Sequence, residues 1–193
     1  MQNDGGFPYT PYPYPFMAQG RYAYPQAAPG LAPAWFPAQP YSYSAVDLGQ
    51  YTYPQNMPDA LMLIQQAVAG ETEDRMFYRY LIENAPTEED KTIIGGIRDD
   101  EISHFDLFRT VYHQLAGQML PPPQEVPLEK PSSYCEGLAR AINGEQNAVR
   151  KYRRILYALQ DRVQINILTG IITDEIRHGI LYNYLYSRNG CKA

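Results

Sequence analysis

The sequence predicts an all-α protein, a four-helix bundle with one long crossover, preceded by an irregular Tyr/Pro-rich N-terminal extension. Three observations carry this. Beyond residue 57, apolar residues recur at helical spacing. A shift of 74 residues superimposes residues 67–112 on the second half of the chain without a gap, so that Tyr78 falls on Tyr152, Arg79 on Arg153, Ile93 on Ile167, Gly96 on Gly170, Ile97 on Ile171 and Tyr112 on Tyr186. A proline-rich stretch running from Pro121 to Pro131 separates the two copies and cannot be helical.

The first 56 residues form one compositional regime and residues 57–193 another. In the first, Asp4, Arg21 and Asp47 are the only charged residues, and Phe7-Pro8-Tyr9-Thr10-Pro11-Tyr12-Pro13-Tyr14-Pro15-Phe16 sets the style. Proline at this density forbids helix and favours extended polyproline-II segments. Such a tail either stays disordered or forms assembly contacts through its tyrosines, whose rings offer large contact areas and a hydroxyl. Tyr41-Ser42-Tyr43-Ser44 and Tyr51-Thr52-Tyr53 alternate with period two about Asp47-Leu48-Gly49, which is a weak hairpin signal.

Four helices are expected over about 59–84, 87–116, 133–160 and 161–188. Asp59 after Pro58 caps the first, which stops before Pro86 because proline disfavours helical geometry in the residue preceding it. Thr87 caps the second, with Glu88, Glu89 and Asp90 against its positive end, and Gly117 terminates it. About fifteen extended residues then reach about 50 Å, whereas a helix of about 28 residues is about 42 Å long. The third helix can therefore start parallel to the second. Ser133-x-x-Glu136 is its capping box, Asp161 caps the fourth helix, and Asn189-Gly190 ends it.

The repeat keeps six metal-ligand side chains in register. Glu71 precedes Glu101 by 30 residues and Glu145 precedes Glu175 by 30, and His104 and His178 each follow the second Glu by three. Glu and His at i and i+3 share one helical face and can reach one ion. Two Glu-x-x-His helices and two single-Glu helices, all facing inward, provide the ligands for a pair of iron or manganese ions. Asp100 and Asp174 each precede a ligand Glu and point about a quarter-turn round the helix, so crossed pairs Asp100–His178 and Asp174–His104 are expected to orient the imidazoles. Tyr78 and Tyr152, seven residues after Glu71 and Glu145, either pack in the core or hydrogen-bond a ligand carboxylate and serve the reaction. His113 is read as a surface or structural histidine, and Arg150-Lys151-Arg153-Arg154 as a solvated face. Gly96 and Gly170, in the middle of helices, suggest close approach of a neighbouring helix.

The four helices resemble the ferritin-like di-metal carboxylate superfamily, and its rubrerythrin-like branch in particular. The resemblance rests on Ala69-Gly70-Glu71 with Tyr78, Glu101 with His104, Asn143-Gly144-Glu145 with Tyr152, and Glu175 with His178. It implies that Glu71 and Glu145 are the ligands of the single-Glu helices, that Glu101 and Glu175 bridge or chelate, and that His104 and His178 each hold one ion. Two iron ions are the first expectation and manganese the second. The chain departs from rubrerythrins in three ways. Ala148 stands where they carry a further ligand Glu, the four-Cys rubredoxin module is missing from this sequence, and the interval from single Glu to Glu-x-x-His is shorter. The pattern is closer to the symmetric four-Glu, two-His site of bacterioferritin-like proteins.

The functional expectation is a di-metal oxidoreductase that reduces peroxide or oxidises iron(II), using peroxide or dioxygen as small oxidant and an electron donor that the sequence does not identify. The alternative is a structural subunit of a surface layer, spore coat or fibre, assembled by self-association through residues 1–56. A net charge of −5 gives no basic surface for nucleic acid. No apolar run of about 18 residues spans a membrane, and the first residues lack the basic and apolar regions of a secretory signal. A cytoplasmic protein or a component of an assembled surface layer is expected. Cys135 and Cys191, too far apart for a Cys-x-x-Cys motif, are read as unpaired thiols.

Overall fold

The computed structural model describes residues 48–122 and 127–192, and the statements below concern those residues. The expectations for the extension before residue 48, including the first limb of the hairpin and self-association, fall outside them. The described residues form one compact unit. The second limb of the expected hairpin is corrected: Gly49–Tyr51 is a 3-10 turn and Thr52 bends, while Asn56, which is buried, donates to the Gln50 carbonyl. The Tyr51 ring rests 4.8 Å from that of Tyr157. The end of the Tyr/Pro-rich segment thus packs on the bundle.

Five α-helices follow, with no strand among the described residues: α1 Met57–Ala69, α2 Glu71–Asn84, α3 Glu88–Ala116, α4 Tyr134–Leu156 and α5 Arg162–Arg188. The first expected helix is thus divided at Gly70, whose ψ of −6° flattens one turn between α1 and α2. Glycine permits this break but does not dictate it, because Gly144 occupies the repeat-equivalent position in an unbroken α4. The start of α1 also differs from expectation. Asn56 precedes it without a side-chain cap, Pro58 sits in its first turn, and both carboxylate oxygens of Asp59 instead accept from one nitrogen, Nη2, of Arg154 in α4 at 2.7 and 2.8 Å.

The other termini follow their local chemistry. Asp90 N–H donates to Thr87 Oγ1, Glu136 N–H donates to Ser133 Oγ, and Asp161 accepts from Val163 and Gln164. Gly117 ends α3 at φ 69°, a left-handed turn that glycine adopts without a Cβ clash. In cross-section α1 and α2 pack on α3, α3 on α5, α5 on α4, and α4 back on α1 and α2. Short connections join α2 to α3 and α4 to α5, and the crossover links α3 to α4. Its described end is fastened to the bundle where Tyr80 Oη donates to the Pro131 carbonyl and Arg140 to that of Glu129.

Antiparallel pairing of α4 and α5 brings the start of one beside the end of the other. Cys135 and Cys191, 56 residues apart in sequence, lie with Cα atoms 5.5 Å apart and form a disulfide. This corrects the reading of two unpaired thiols, since sequence separation says nothing about a distance that a helical hairpin closes.

The core has two apolar layers with a polar one between them. Ile64, Val68, Phe108, Val111, Tyr152 and Leu168 belong to the first, and Leu81, Ile94, Ile97, Leu138, Tyr182 and Leu185 to the second. Along α3 the order is Ile97, Glu101, His104, Phe108; along α5 it is Ile171, Glu175, His178, Tyr182; along α4 it is Leu138, Glu145, Tyr152. α3, α4 and α5 therefore each bring buried Glu or His side chains to one level of the bundle, with aliphatic and aromatic side chains on both sides.

Candidate metal centre

Helical register places Glu101 and His104 on the buried face of α3, and Glu175 and His178 on the facing side of α5. Glu175 is 1% and His178 0% exposed. The pairing crosses between helices: His178 Nδ1 lies 3.0 Å from Glu101 Oε1, and His104 Nδ1 lies 3.1 Å from Glu175 Oε1 and 3.6 Å from Glu101 Oε2. The two imidazoles stack with centroids 5.9 Å apart. Glu145 of α4 joins them, and ligand atoms of Glu101, Glu145, Glu175 and His178 all lie within 4.8 Å of one another.

The outer ring nitrogens face the helix surface. His178 Nε2 is 3.1 Å from Asp100 Oδ2, and His104 Nε2 is 3.4 Å from Asp174 Oδ2. Arg177, which sequence reasoning did not single out, bonds both Asp100 and Asp174 and closes this side of the cluster. Burial raises the Asp100 carboxyl, but His178 and Arg177 overcome it and leave its pKa lowered.

The site fits a bound cation on grounds of donor chemistry. His104 Nδ1 and Glu175 Oε1 are buried and face each other at 3.1 Å, yet neither makes a well-aligned hydrogen bond, an arrangement that costs free energy unless a ligand satisfies it. Electrostatics point the same way. Burial alone would lower the pKa of His104, yet the Glu101 and Glu175 carboxylates raise it to about 10. Burial and the neighbouring Glu175 push Glu145 up to about 11. Metal-free, the cluster therefore traps protons in place of positive charge.

On the α2–α4 side the cluster opens into a cavity of about 390 Å³, lined by Asp74, Tyr78, Glu101, Glu145, Tyr152 and Glu175 among others, with Lys151 and Arg140 also on its wall. Neither phenol hydrogen-bonds a carboxylate. Tyr78 and Tyr152 are buried, and their pKa values are raised well above 10, first by burial and then by nearby carboxylates. Tyr152 also packs on Phe108 at 4.7 Å between centroids, so it both packs in the core and lines the cavity.

Not every expected residue joins the cluster. Glu71 is buried, but its two oxygens accept from Arg75 and Arg109, each at 2.5 Å, and it does not line the cavity. Asp74, one turn further along α2, does line it. Sequence reasoning passed over Asp74, although a carboxylate three residues after Glu71 was legible. Arg109 carried no such signal, because its contact depends on how α3 is rotated against α2. Tyr182, with a fully buried hydroxyl that has no partner, was also missed. The remaining readings divide. His113 is exposed at the end of α3. The basic run on α4 is not simply solvated, since Arg154 ties α4 to α1 and Lys151 reaches the cavity. The expected close approach at Gly96 and Gly170 is corrected: a Cβ at either would meet nothing within 4 Å, whereas Gly179 is the position where α4 presses, with Gln146 Nε2 2.8 Å from such a Cβ.

Fold and site together define an all-α bundle whose buried Glu/His cluster can hold a metal ion. The chain is 31% identical over 127 residues to a protein of Bacillus subtilis (strain 168) designated "Uncharacterized protein YhjR", a match covering 66% of this chain and 86% of that protein. It belongs to the family of that protein. No family model matches the chain, and no solved structure matches it.

Proposed function

We propose that the protein is a di-metal carboxylate oxidoreductase of the rubrerythrin-like type, which reduces peroxide or oxidises iron(II). The observation that carries this reading is the crossed Glu101–His178 and Glu175–His104 pairing, buried beside Glu145 and open to a cavity of about 390 Å³. Glu101, His104, Glu145, Glu175 and His178 would hold the ions, iron before manganese. Oxygen and nitrogen donors without thiolate suit these metals. When bound, the pair supplies the two electrons that convert peroxide, with two protons, into two waters, and an external donor returns them.

The chain's own residues prepare the site for that exchange. Asp100 and Asp174 orient the imidazoles through their outer nitrogens. Tyr78 and Tyr152 keep their protons across the physiological range and line the cavity as neutral phenols. The apolar layers on either side limit water and confine reactive species. Elemental analysis of protein purified without added chelator, followed by anaerobic peroxide titration of the reduced form, tests the reading. Two equivalents of iron or manganese and stoichiometric consumption of peroxide are expected; a metal-free protein that remains inert after reconstitution sinks it.

A second reading, a structural subunit of a surface layer, coat or fibre, draws on the Cys135–Cys191 disulfide, because such bonds persist in oxidising surroundings. In it the metal site stabilises the bundle and residues 1–56 make the contacts.

A further inference from the structure

We propose that Asp74, rather than Glu71, is the α2 carboxylate of the metal centre, and that Arg75 and Arg109 hold Glu71 as a fixed counter-charge outside it. The assignment rests on the metal-binding reading above and departs from the ligand set that the internal repeat implies.

The repeat makes Glu71 and Glu145 equivalent by position, but their surroundings are not. Both oxygens of Glu71 are taken, Oε1 by Arg75 and Oε2 by Arg109. The repeat-equivalent positions of these arginines are Val149 and Asn183, which carry no charge, so the clamp exists only in the first half. Drawing Glu71 toward an ion would strand Arg109, a guanidinium largely withdrawn from water, opposite no partner. Glu145, with no such arginine, stands within the cluster.

Asp74 occupies the complementary situation. It lies three residues after Glu71 and so on the same side of α2. It lines the cavity together with Glu101, Glu145 and Glu175, and its side chain makes no hydrogen bond or ion pair among the described residues. Its Oδ2 lies 3.3 Å from where a Cβ on Gly70 would sit, so the bare glycine at the α1–α2 break leaves the carboxylate its room. The repeat-equivalent of Asp74 is Ala148, a methyl group on the same cavity wall. Each half thus brings one carboxylate without an arginine partner beside its Glu-x-x-His pair: Asp74 from α2 and Glu145 from α4. His104 Nδ1 and Glu175 Oε1, buried face to face at 3.1 Å without a well-aligned hydrogen bond, independently mark the cluster as a place where a cation is wanted.

The test uses full-length protein stripped of metal and titrated with Mn(II) by calorimetry, with bound metal counted after desalting. Wild type is expected to take two ions. Asp74→Asn should take one, or weaken the second by tenfold or more, and Asp74→Glu should recover two. Glu71→Gln should keep two ions with affinities within threefold of wild type. If Glu71→Gln destabilises the fold by stranding its arginines, the double variant Glu71→Gln/Arg109→Gln removes the charge along with its partner and should likewise keep two. Loss of an ion in the Glu71 variants, or full retention in Asp74→Asn, overturns the assignment while leaving the centre standing. A wild type that binds no Mn(II) or Fe(II) overturns the centre and the assignment with it.

Discussion

Protons held by the metal-free cluster set the energetics at the scale of single residues. His104, raised to about 10 by Glu101 and Glu175 against the lowering effect of burial, and Glu145, raised to about 11 by burial and Glu175, keep protons when folded that they release when unfolded. The native state then binds more protons than the unfolded one, and stability falls with rising pH. Melting temperature of the metal-free protein is accordingly expected to decline as pH rises from about 6.5 toward 10, and a bound cation should flatten this decline by replacing the protons. The same displacement predicts net proton release on Mn(II) binding at pH 7, read from calorimetry in buffers of different ionisation enthalpy; zero release would contradict it. Asp100→Asn, which replaces the carboxylate facing His178 Nε2 with a neutral amide, should weaken metal binding by about 10- to 100-fold without unfolding the bundle. At this scale the sequence revealed what depends on spacing within one helix: the Glu-x-x-His pairs and the Asp that precedes each. It did not reveal which carboxylate an arginine from another helix would claim, because Arg109 and Glu71 are 38 residues apart and meet only through the rotation of α3.

Helices show the same division between local and tertiary information. Caps at Thr87, Ser133 and Asp161 and the glycine stop at Gly117 were legible because each is decided within about four residues. The break at Gly70 was not, since the identical glycine in α4 leaves that helix whole. The duplicated glycines Gly96 and Gly170 illustrate how a sequence signal can mislead. They sit exposed in helix interiors with open space around them, so common descent of the halves is a sufficient account of their matching positions. Gly96→Ala and Gly170→Ala should each stabilise the protein by up to about 1 kcal/mol, the helix-propensity difference, measured by urea denaturation. Gly137 is the contrasting case, with Leu81 Cδ2 2.7 Å from where its Cβ would lie. Gly137→Ala should cost about 1–3 kcal/mol through overpacking, so equal effects at all three sites would show that packing at Gly137 is looser than described.

For the molecule as a whole, the all-α class and the crossover followed from the repeat and the prolines, whereas the disulfide did not, since no sequence rule reports the distance between two helix ends. Removing residues 1–56 and measuring mass by light scattering tests whether the Tyr/Pro-rich extension drives assembly; an unchanged mass would dismiss it as the contact. Cys135→Ser should lower stability by roughly 4 kcal/mol, the chain-entropy expectation for a loop of this length, with helical circular dichroism retained at low temperature. The bond also changes what a cut would do. Because Cys135 opens α4 and Cys191 follows α5, the residues between them form a covalent ring that contains Glu145, Glu175 and His178 but neither Glu101 nor His104. A protease that nicks the exposed turn at residues 160–162 would open the ring without releasing a fragment, and the two pieces would part on a denaturing gel only after reduction. With Asp74 counted, half of the ligand set thus lies within a redox-sensitive ring and the other half outside it.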